Sequence, residues 1–206
     1  PLNSQFFPVP LPVGLPFTLG ELARYLVHCL DLEVECRVVP LGGWVRECLW
    51  SGTGLPWIPP SPNLPSLASA YAYQACGIVQ ATTVSEGRGT CNPFEYVGAP
   101  WLDGARLAAM LNGADLPGVA FREVYFRPCH NKYSGEICGG IHLLVRDPRA
   151  FRPFRVLLHL LQSAARLHPD AFALTSGFGA WLDGNDWTPA GLRELDIAAY
   201  YSAAAG

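Results

Sequence analysis

The chain has 206 residues, of which half are apolar and 15% are charged, and its formal net charge is −3. This composition is typical of globular proteins and excludes an intrinsically disordered chain. The slightly acidic balance, without a cluster of Lys or Arg, argues against nucleic acid as the main partner. The sequence also lacks the run of about 18 apolar residues that would predict a membrane span.

The N-terminal third predicts the end of an α/β layer. Closely spaced prolines favour an extended path over residues 1–17. Thr18 and Glu21 have the spacing of a capping box, and the apolar positions after them predict an amphipathic helix over 18–30. Alternating residues predict a strand over 32–41. One helix and one strand cannot bury a parallel sheet, so we expect their partners to be supplied elsewhere.

Residues 42–67 predict a long loop, because glycine and proline recur through them. The rest of the chain predicts an α+β domain. We expect its strands at 76–84, 119–127 and 138–146, and its helices at 102–113, 153–167 and 191–200. The sequence Asp-Gly-Asn-Asp predicts a turn at 183–186.

A polar hexapeptide, Ser-Glu-Gly-Arg-Gly-Thr, spans Ser85 to Thr90. Its glycines permit positive φ and leave backbone N–H groups open, so the loop could wrap closely around a polar ligand. Phe94, Tyr96 and Trp101 follow it. Aromatic faces beside polar groups are typical of sites that hold a sugar or another ring. The hexapeptide and its flanks are therefore the candidate binding site.

Other site classes find little support in the sequence. Cys129, His130, Cys138 and His142 fit no standard zinc-finger spacing, so no metal site is predicted. Residues 85–90 lack the Lys-Ser/Thr ending of a phosphate loop, and no Gly-x-Ser-x-Gly elbow of a serine hydrolase occurs. The seven cysteines are an odd number without the spacing of a disulfide scaffold, and we expect most of them to be buried.

Several long and unusual strings occur along the chain. They are Thr18-x-Gly20-Glu21-Leu22-Ala23, Gly43-Trp44-x-Arg46, Gly54-Leu55-Pro56-Trp57-x-Pro59-Pro60-Ser61-Pro62-Asn63-x-Pro65, Val84-Ser85-Glu86-Gly87-Arg88-Gly89-Thr90, Pro93-Phe94-Glu95, Gly98-Ala99-Pro100-Trp101 and Phe126-x-Pro128. Lys132, Gly135, Cys138, Gly140 and Val145-x-Asp147 follow them. In this order the strings resemble one family, the exo-β-N-acetylmuramidases called NamZ. The resemblance covers nearly all of this chain but only about the C-terminal half of the family's length.

The resemblance implies a mixed α/β and α+β fold. Residues 1–67 would be the tail of a Rossmann-like domain with its connecting loop, and 68–206 a smaller α+β C-terminal domain. The implied activity is a bacterial glycosidase that releases N-acetylmuramic acid from non-reducing ends of peptidoglycan fragments, in cell-wall recycling. It implies a site between the two domains, no metal or organic cofactor, and a secreted or periplasmic location. The missing part of the Rossmann-like domain, or a partner chain, would complete the protein.

Glycoside hydrolysis ordinarily needs two carboxyl groups, about 5–5.5 Å apart for retention and roughly 6.5–9.5 Å apart for inversion. Glu86, Glu95 and Asp103 are the candidates. Glu86 is the best placed as a catalytic residue, since Arg88 favours its ionised form, which suits a base or an acceptor better than an acid. The alternative is that Glu86 and Arg88 form an ion pair that only shapes the loop.

Seven residues are candidates for binding the substrate: Ser61, Asn63, Ser85, Arg88, Thr90, Glu95 and Trp101. Arg88 could hold the lactyl carboxylate of a muramic acid, because its guanidinium matches a carboxylate in a bidentate manner. Three of them have a structural alternative: Asn63 a turn between prolines, Glu95 a bond to backbone amides near Pro93, and Trp101 a place in the core.

The sequence departs from the family's pattern at three points, and one of them is that most of the Rossmann-like domain is absent from it. Val13-Gly14-Leu15-Pro16 stands where the family has an Arg-His-Gly-Met type of string, and Gln80-Ala81-Thr82-Thr83 replaces a Glu-Gly-Thr-Asn string. These departures leave a second hypothesis open. The chain would then be a truncated or degenerate relative that at most binds amino sugars.

Overall fold

The computed structural model describes residues 17–175, 178–179 and 186–204. Most of the extended path predicted for 1–17 and of the turn predicted at 183–186 lies outside these residues. Contacts divide the described chain into two units: the first holds the residues up to Pro56 together with Gly179, and the second holds the other described residues from Trp57 onward. The predicted domain boundary after residue 67 stays a prediction.

The first unit contains helix α1, Leu19–Cys29, which confirms the helix predicted over 18–30. Its N-terminus is held by the predicted capping box. The Thr18 hydroxyl accepts from the Glu21 amide at 3.2 Å, and the Glu21 carboxylate accepts from the Thr18 amide at 2.7 Å. Arg46 donates to the same carboxylate at 2.7 Å, so the cap also ties α1 to the loop that follows it.

The strand predicted over 32–41 is wrong, because these residues adopt no regular structure. A β-strand depends on hydrogen bonds to a neighbouring strand, and no strand pairs with this segment among the described residues. Large apolar side chains in it remain exposed, including Val39 and Leu41. The loop predicted over 42–67 is confirmed, apart from a short 3₁₀ turn at Trp50–Gly52.

The second unit is an α+β domain built on a three-stranded antiparallel sheet in the order β1-β3-β2. The strands are β1 (Tyr96–Ala99), β2 (Val119–Phe126) and β3 (Cys138–Val145). The predicted strands over 119–127 and 138–146 are thus confirmed as the hairpin β2–β3. Strand β1 was not predicted, since a four-residue strand gives too short a pattern to recognise.

Six α-helices are described from end to end. After α1 they are α2 (Leu67–Cys76), α3 (Gly104–Gly113), α4 (Pro153–Leu167), α5 (Pro189–Glu194) and α6 (Ile197–Ala204). Helices α2 and α3 pack on the sheet, and α4 packs against both of them and against α5. The helices predicted over 102–113 and 153–167 are confirmed. Leu107 and Leu111 of α3 are buried, whereas Met110 of the same helix is exposed.

The strand predicted over 76–84 is wrong, because helix α2 runs to Cys76 and a 3₁₀ turn follows at Gly77–Ala81. Two local features explain the error. The Ser66 hydroxyl accepts from the Ser69 amide at 3.0 Å and caps α2, and alanines favour the helix after it. The apolar residues of this segment, Val79 among them, are buried by helical packing rather than by a sheet.

The single helix predicted over 191–200 is instead two short helices, α5 and α6. Leu195 adopts an extended conformation between them. The Gln162 side chain stabilises this break, because its amide donates to the carbonyls of Leu192 at 3.0 Å and Leu195 at 2.7 Å. A polar side chain on α4 therefore satisfies carbonyls that a longer helix would have bonded internally.

The prediction that most cysteines are buried is wrong. Only Cys76 and Cys138 are buried, and all seven are free thiols. The exposed ones lie in loops or at a helix end, where no apolar layer covers them. Among the described residues no helix is both long enough and apolar enough to cross a membrane.

Candidate functional site

The hexapeptide Ser85–Thr90 packs tightly against the sheet. Ser85 pairs with Gly98 through two backbone hydrogen bonds of 2.8 and 3.0 Å. Gly87 has a φ of +78°, and a Cβ placed there would lie 2.4 Å from the carbonyl oxygen of Tyr96. This glycine is therefore required by backbone conformation and close packing within the domain.

The first half of the hexapeptide turns a carboxylate inward. Glu86 is 1% exposed, and its Oε1 accepts from the Arg88 Nη1 at 2.8 Å and from the Asn131 amide at 3.4 Å. Its Oε2 lies 3.4 Å from the Lys132 ammonium. One buried carboxylate thus faces two cations, and we call Glu86, Arg88 and Lys132 the buried ion cluster.

Lys132 connects this cluster to the backbone around it. Its ammonium donates to the carbonyls of Gln80 at 2.9 Å and Val84 at 2.8 Å. Burial lowers the pKa of Lys132 below its ordinary value of 10.5, although the charge of Glu86 opposes that shift. Lys132 therefore fixes the segment that precedes the hexapeptide, a role that the sequence pattern did not indicate.

The Arg88 side chain is bonded to other groups of the protein. Its Nη1 also donates to the Gln80 side chain at 2.9 Å, and its guanidinium lies 5.0 Å from the centre of the Phe94 ring. The ion pair offered as the structural alternative for Glu86 and Arg88 is present. A catalytic role for Glu86 and a substrate contact for Arg88 both stay predictions.

Glu95 belongs to a second buried polar group. Its Oε1 accepts from the Ser69 hydroxyl at 2.7 Å, and its Oε2 lies 3.4 Å from the Nε2 of His142. Arg122 donates to the other ring nitrogen of His142 at 3.1 Å, so Nε2 carries the proton that faces Glu95. The expected bonds to backbone amides near Pro93 are replaced by these side-chain bonds, which join α2 to the sheet.

We predict that this second group makes stability depend on acid pH. Burial alone would raise the pKa of Glu95, but hydrogen bonds from His142 and Ser69 outweigh it and hold the pKa below 4.5. A lowered folded-state pKa stabilises the protein above the unfolded value, and this contribution is lost as the pH falls through the folded value. The free energy of unfolding, measured in urea, should therefore fall as the pH drops below about 4.5.

Glu95→Gln should make the free energy of unfolding depend less on pH below about 4.5, because an amide does not titrate. Glu136→Gln is the matched control, since Glu136 is exposed and should leave the profile unchanged. A profile for Glu95→Gln that is as steep as that of the unmodified chain would assign the acid sensitivity to other carboxyl groups.

The remaining predicted residues lie in three different settings. The Ser61 hydroxyl accepts from the Asn63 amide at 3.4 Å within a turn, as the structural alternative for Asn63 expected. The Trp101 indole donates to the Tyr133 hydroxyl at 3.3 Å, and its ring packs edge-on against His168 with centroids 5.3 Å apart. Asp103 caps α3 by accepting from the Arg106 amide at 3.0 Å.

A cavity of about 880 Å³ opens beside the second half of the hexapeptide. Asn63 and Thr90 line it, so the structure brings together two of the eight predicted site residues there. The other lining residues are Pro62, Pro65, Gly89, Cys91, Pro93, Tyr96, Tyr125, Phe126, Arg127, Cys129 and His130. Ser61, Ser85, Glu86, Arg88, Glu95 and Trp101 are not among them.

One wall of this cavity, formed by Arg127 and His130, was not predicted from the sequence. The sequence does indicate a candidate binding position there, because both residues lie where the predicted strand over 119–127 ends and its hairpin connection begins. Side chains at such a junction are exposed and held by a rigid strand, which favours binding roles. The antiparallel order that brings them beside Thr90 could not be read from the pattern.

Known proteins match the chain along most of its length. The family description "Exo-beta-N-acetylmuramidase NamZ, N-terminal" matches residues 3–68, and the description "Exo-beta-N-acetylmuramidase NamZ, C-terminal" matches residues 71–199. The peptidoglycan beta-N-acetylmuramidase NamZ of Bacillus subtilis (strain 168) is 37% identical over 182 residues. That match covers 88% of this chain but 44% of the Bacillus protein, so the chain spans less than half of that relative.

Two crystal structures of DUF1343 family proteins from Bacteroides fragilis are also similar. The first superposes with a TM-score of 0.68 at 33% identity, over 74% of this chain and 40% of that chain. The second has a TM-score of 0.61 at 21% identity, over 91% of this chain and 50% of that chain, and shows the fold alone. Both agree with a mixed fold of helices and strands.

Proposed function

The chain belongs to the NamZ family of exo-β-N-acetylmuramidases, and from this premise we propose that it is part of a glycosidase acting on peptidoglycan. The reaction would release N-acetylmuramic acid from the non-reducing ends of glycan or muropeptide fragments. The observation that carries the proposal is the match to both family descriptions in the family's order.

The carboxyl groups weighed for catalysis are all engaged within the described domain. Glu86 is bonded to two cations, Glu95 to Ser69 and His142, and Asp103 to the first turn of α3. No Asp or Glu is among the described residues that line the cavity. Hydrolysis needs two carboxyl groups beside the scissile bond. We therefore assign this domain to substrate binding, and the acid and base to the part of the family's length that this chain does not span.

The cavity suits a sugar ring in size and lining. Its volume falls within the range of about 300–1,000 Å³ that is usual for small-molecule sites. Tyr96 and Tyr125 offer flat apolar faces, and Asn63 and Thr90 offer polar atoms for hydroxyl or acetamido groups. The same features support the second candidate, a domain that binds amino sugars and hydrolyses nothing.

Turnover of 4-nitrophenyl β-N-acetylmuramide distinguishes the two candidates. We expect no release of 4-nitrophenol by this chain alone. We expect release when the chain is fused behind the N-terminal segment of the Bacillus relative that it does not span. Circular dichroism and thermal unfolding of the fusion establish that it is folded. A folded fusion that releases nothing would overturn the enzymatic proposal and leave the binding domain.

A further inference from the structure

Among the described residues that line the cavity, Arg127 is the one Lys, Arg, Asp or Glu. It is exposed, and within the part of the chain that the structure describes its guanidinium has no hydrogen bond or ion pair. No carboxylate lines the described cavity to neutralise it. A guanidinium without a partner, beside apolar walls, is a ready binding group for an anion.

The cavity walls beside Arg127 contain aromatic rings that are positioned by contacts within the protein. The Tyr125 hydroxyl donates to the Glu123 carboxylate at 2.9 Å. The Tyr96 ring packs against Phe126 and His142, with centroids 5.6 and 4.9 Å apart. Rings held in this way offer a preformed surface to another ring, and they lose little conformational freedom when it binds.

A carboxylate contact was predicted for Arg88, but Arg88 is bonded to Glu86 and Gln80. The geometry points instead to Arg127 as the group that binds the carboxylate of an acidic amino sugar in this cavity. Arg127 would thereby distinguish such a sugar from a neutral one with the same ring. This inference rests on the proposed function, because that function supplies a substrate carrying both a sugar ring and a carboxylate.

The carboxylate has two possible sources in a muropeptide, the lactyl group of the sugar and the end of the peptide. Binding of three probes to the chain, measured by calorimetry, separates them. N-acetylmuramic acid carries the lactyl carboxylate, N-acetylmuramoyl dipeptide carries peptide carboxylates in its place, and N-acetylglucosamine carries neither. We expect at least one acidic probe to bind more tightly than N-acetylglucosamine.

Arg127→Gln should weaken binding of that acidic probe about 10- to 100-fold, which is the effect expected for loss of a charge-assisted pair, and leave N-acetylglucosamine unchanged. Arg146→Gln is the matched control. Arg146 is also exposed and follows strand β3 at the other end of the hairpin, about 30 Å away by strand length. It should change no affinity.

Three outcomes would overturn the inference: no binding of any probe, equal binding of acidic and neutral probes, or an Arg127→Gln variant that weakens all probes alike. These outcomes are independent of turnover. A fused enzyme that releases 4-nitrophenol while its Arg127→Gln variant keeps the same KM for the acidic substrate would retain the proposed function and reject Arg127 as the carboxylate-binding group.

Discussion

Replacing Gly140 by alanine is expected to destabilise the second unit by about 3 kcal/mol or more, the upper range for forcing extra atoms into a packed core. Gly140 lies in β3 opposite Gly98 of β1. A Cβ at Gly140 would lie 2.1 Å from the carbonyl oxygen of Val97 and 2.6 Å from the Cα of Gly98. Both obstacles are backbone atoms, so no side-chain rotation can relieve the clash.

Helix α3 packs against the sheet at the same point. A Cβ at Gly104, the first residue of that helix, would lie 2.2 Å from the carbonyl oxygen of Gly140. The backbones of β1, β3 and α3 thus meet where two glycines face each other. Because β3 is the central strand, a shift away from β1 would push it against β2, and α3 also lies against its backbone at Gly140. For this reason we expect Gly140→Ala to lose stability rather than to relax.

Urea and thermal unfolding measure this effect. A loss of 3 kcal/mol in a chain of this length corresponds to a fall in Tm of roughly 6–12 °C. Gly113→Ala is the control, because Gly113 ends the same helix and a Cβ there meets nothing within 4 Å. That substitution should be neutral or stabilise by up to about 1 kcal/mol. Similar stabilities for the two variants would contradict the close approach of the three backbones.

Elements with strong local signals were predictable from the sequence. The capping box at Thr18 and the long apolar stripe of α4 are local patterns, and both helices lie where the sequence predicts them. The run over 76–84 failed because short apolar stretches do not distinguish a buried strand from a buried turn of helix. The conformation of this run was decided by the Ser66 cap and by packing against the rest of the domain.

The candidate site was predictable only in part, for a related reason. The residue types of the hexapeptide mark it as unusual, but they do not say which side chains turn inward. Glu86 and Arg88 lie in the buried ion cluster because Lys132, more than 40 positions later, brings a second cation to the same carboxylate. Arg127 reaches the cavity through the pairing of β2 with β3. Such long-range pairings leave no periodic trace in the sequence.

The buried ion cluster carries the second large expected effect. Glu86→Gln should lower the free energy of unfolding by about 3 kcal/mol, because removing one partner of a buried ion pair leaves charge uncompensated. Glutamine has nearly the same side-chain volume as glutamate, and its amide oxygen can still accept from Arg88. Its amide nitrogen would face the Lys132 ammonium, and these two hydrogen-bond donors cannot bond to each other. We expect the lower end of the usual 3–5 kcal/mol, since the Arg88 and Lys132 side chains are 23% and 25% exposed.

A double-mutant cycle with Lys132→Met tests whether the two charges act together. Lys132→Met alone should also destabilise, because it leaves the carbonyls of Gln80 and Val84 without their donor. The double variant removes the mismatch between the glutamine amide and the ammonium, so its loss should be smaller than the sum of the single losses. Strictly additive losses would show that the 3.4 Å contact contributes nothing. Glu136→Gln, on the exposed surface, should stay within about 0.5 kcal/mol.

The same variants decide how a loss of turnover in Glu86→Gln should be interpreted. Lys132→Met disturbs the cluster but keeps the Glu86 carboxylate, so a purely structural role predicts that the two variants lose turnover in proportion to their loss of stability. A chemical role predicts that Glu86→Gln, assayed in the fused enzyme at a temperature where both variants are folded, loses far more turnover than Lys132→Met. Because Glu86 is 1% exposed, we expect the first pattern.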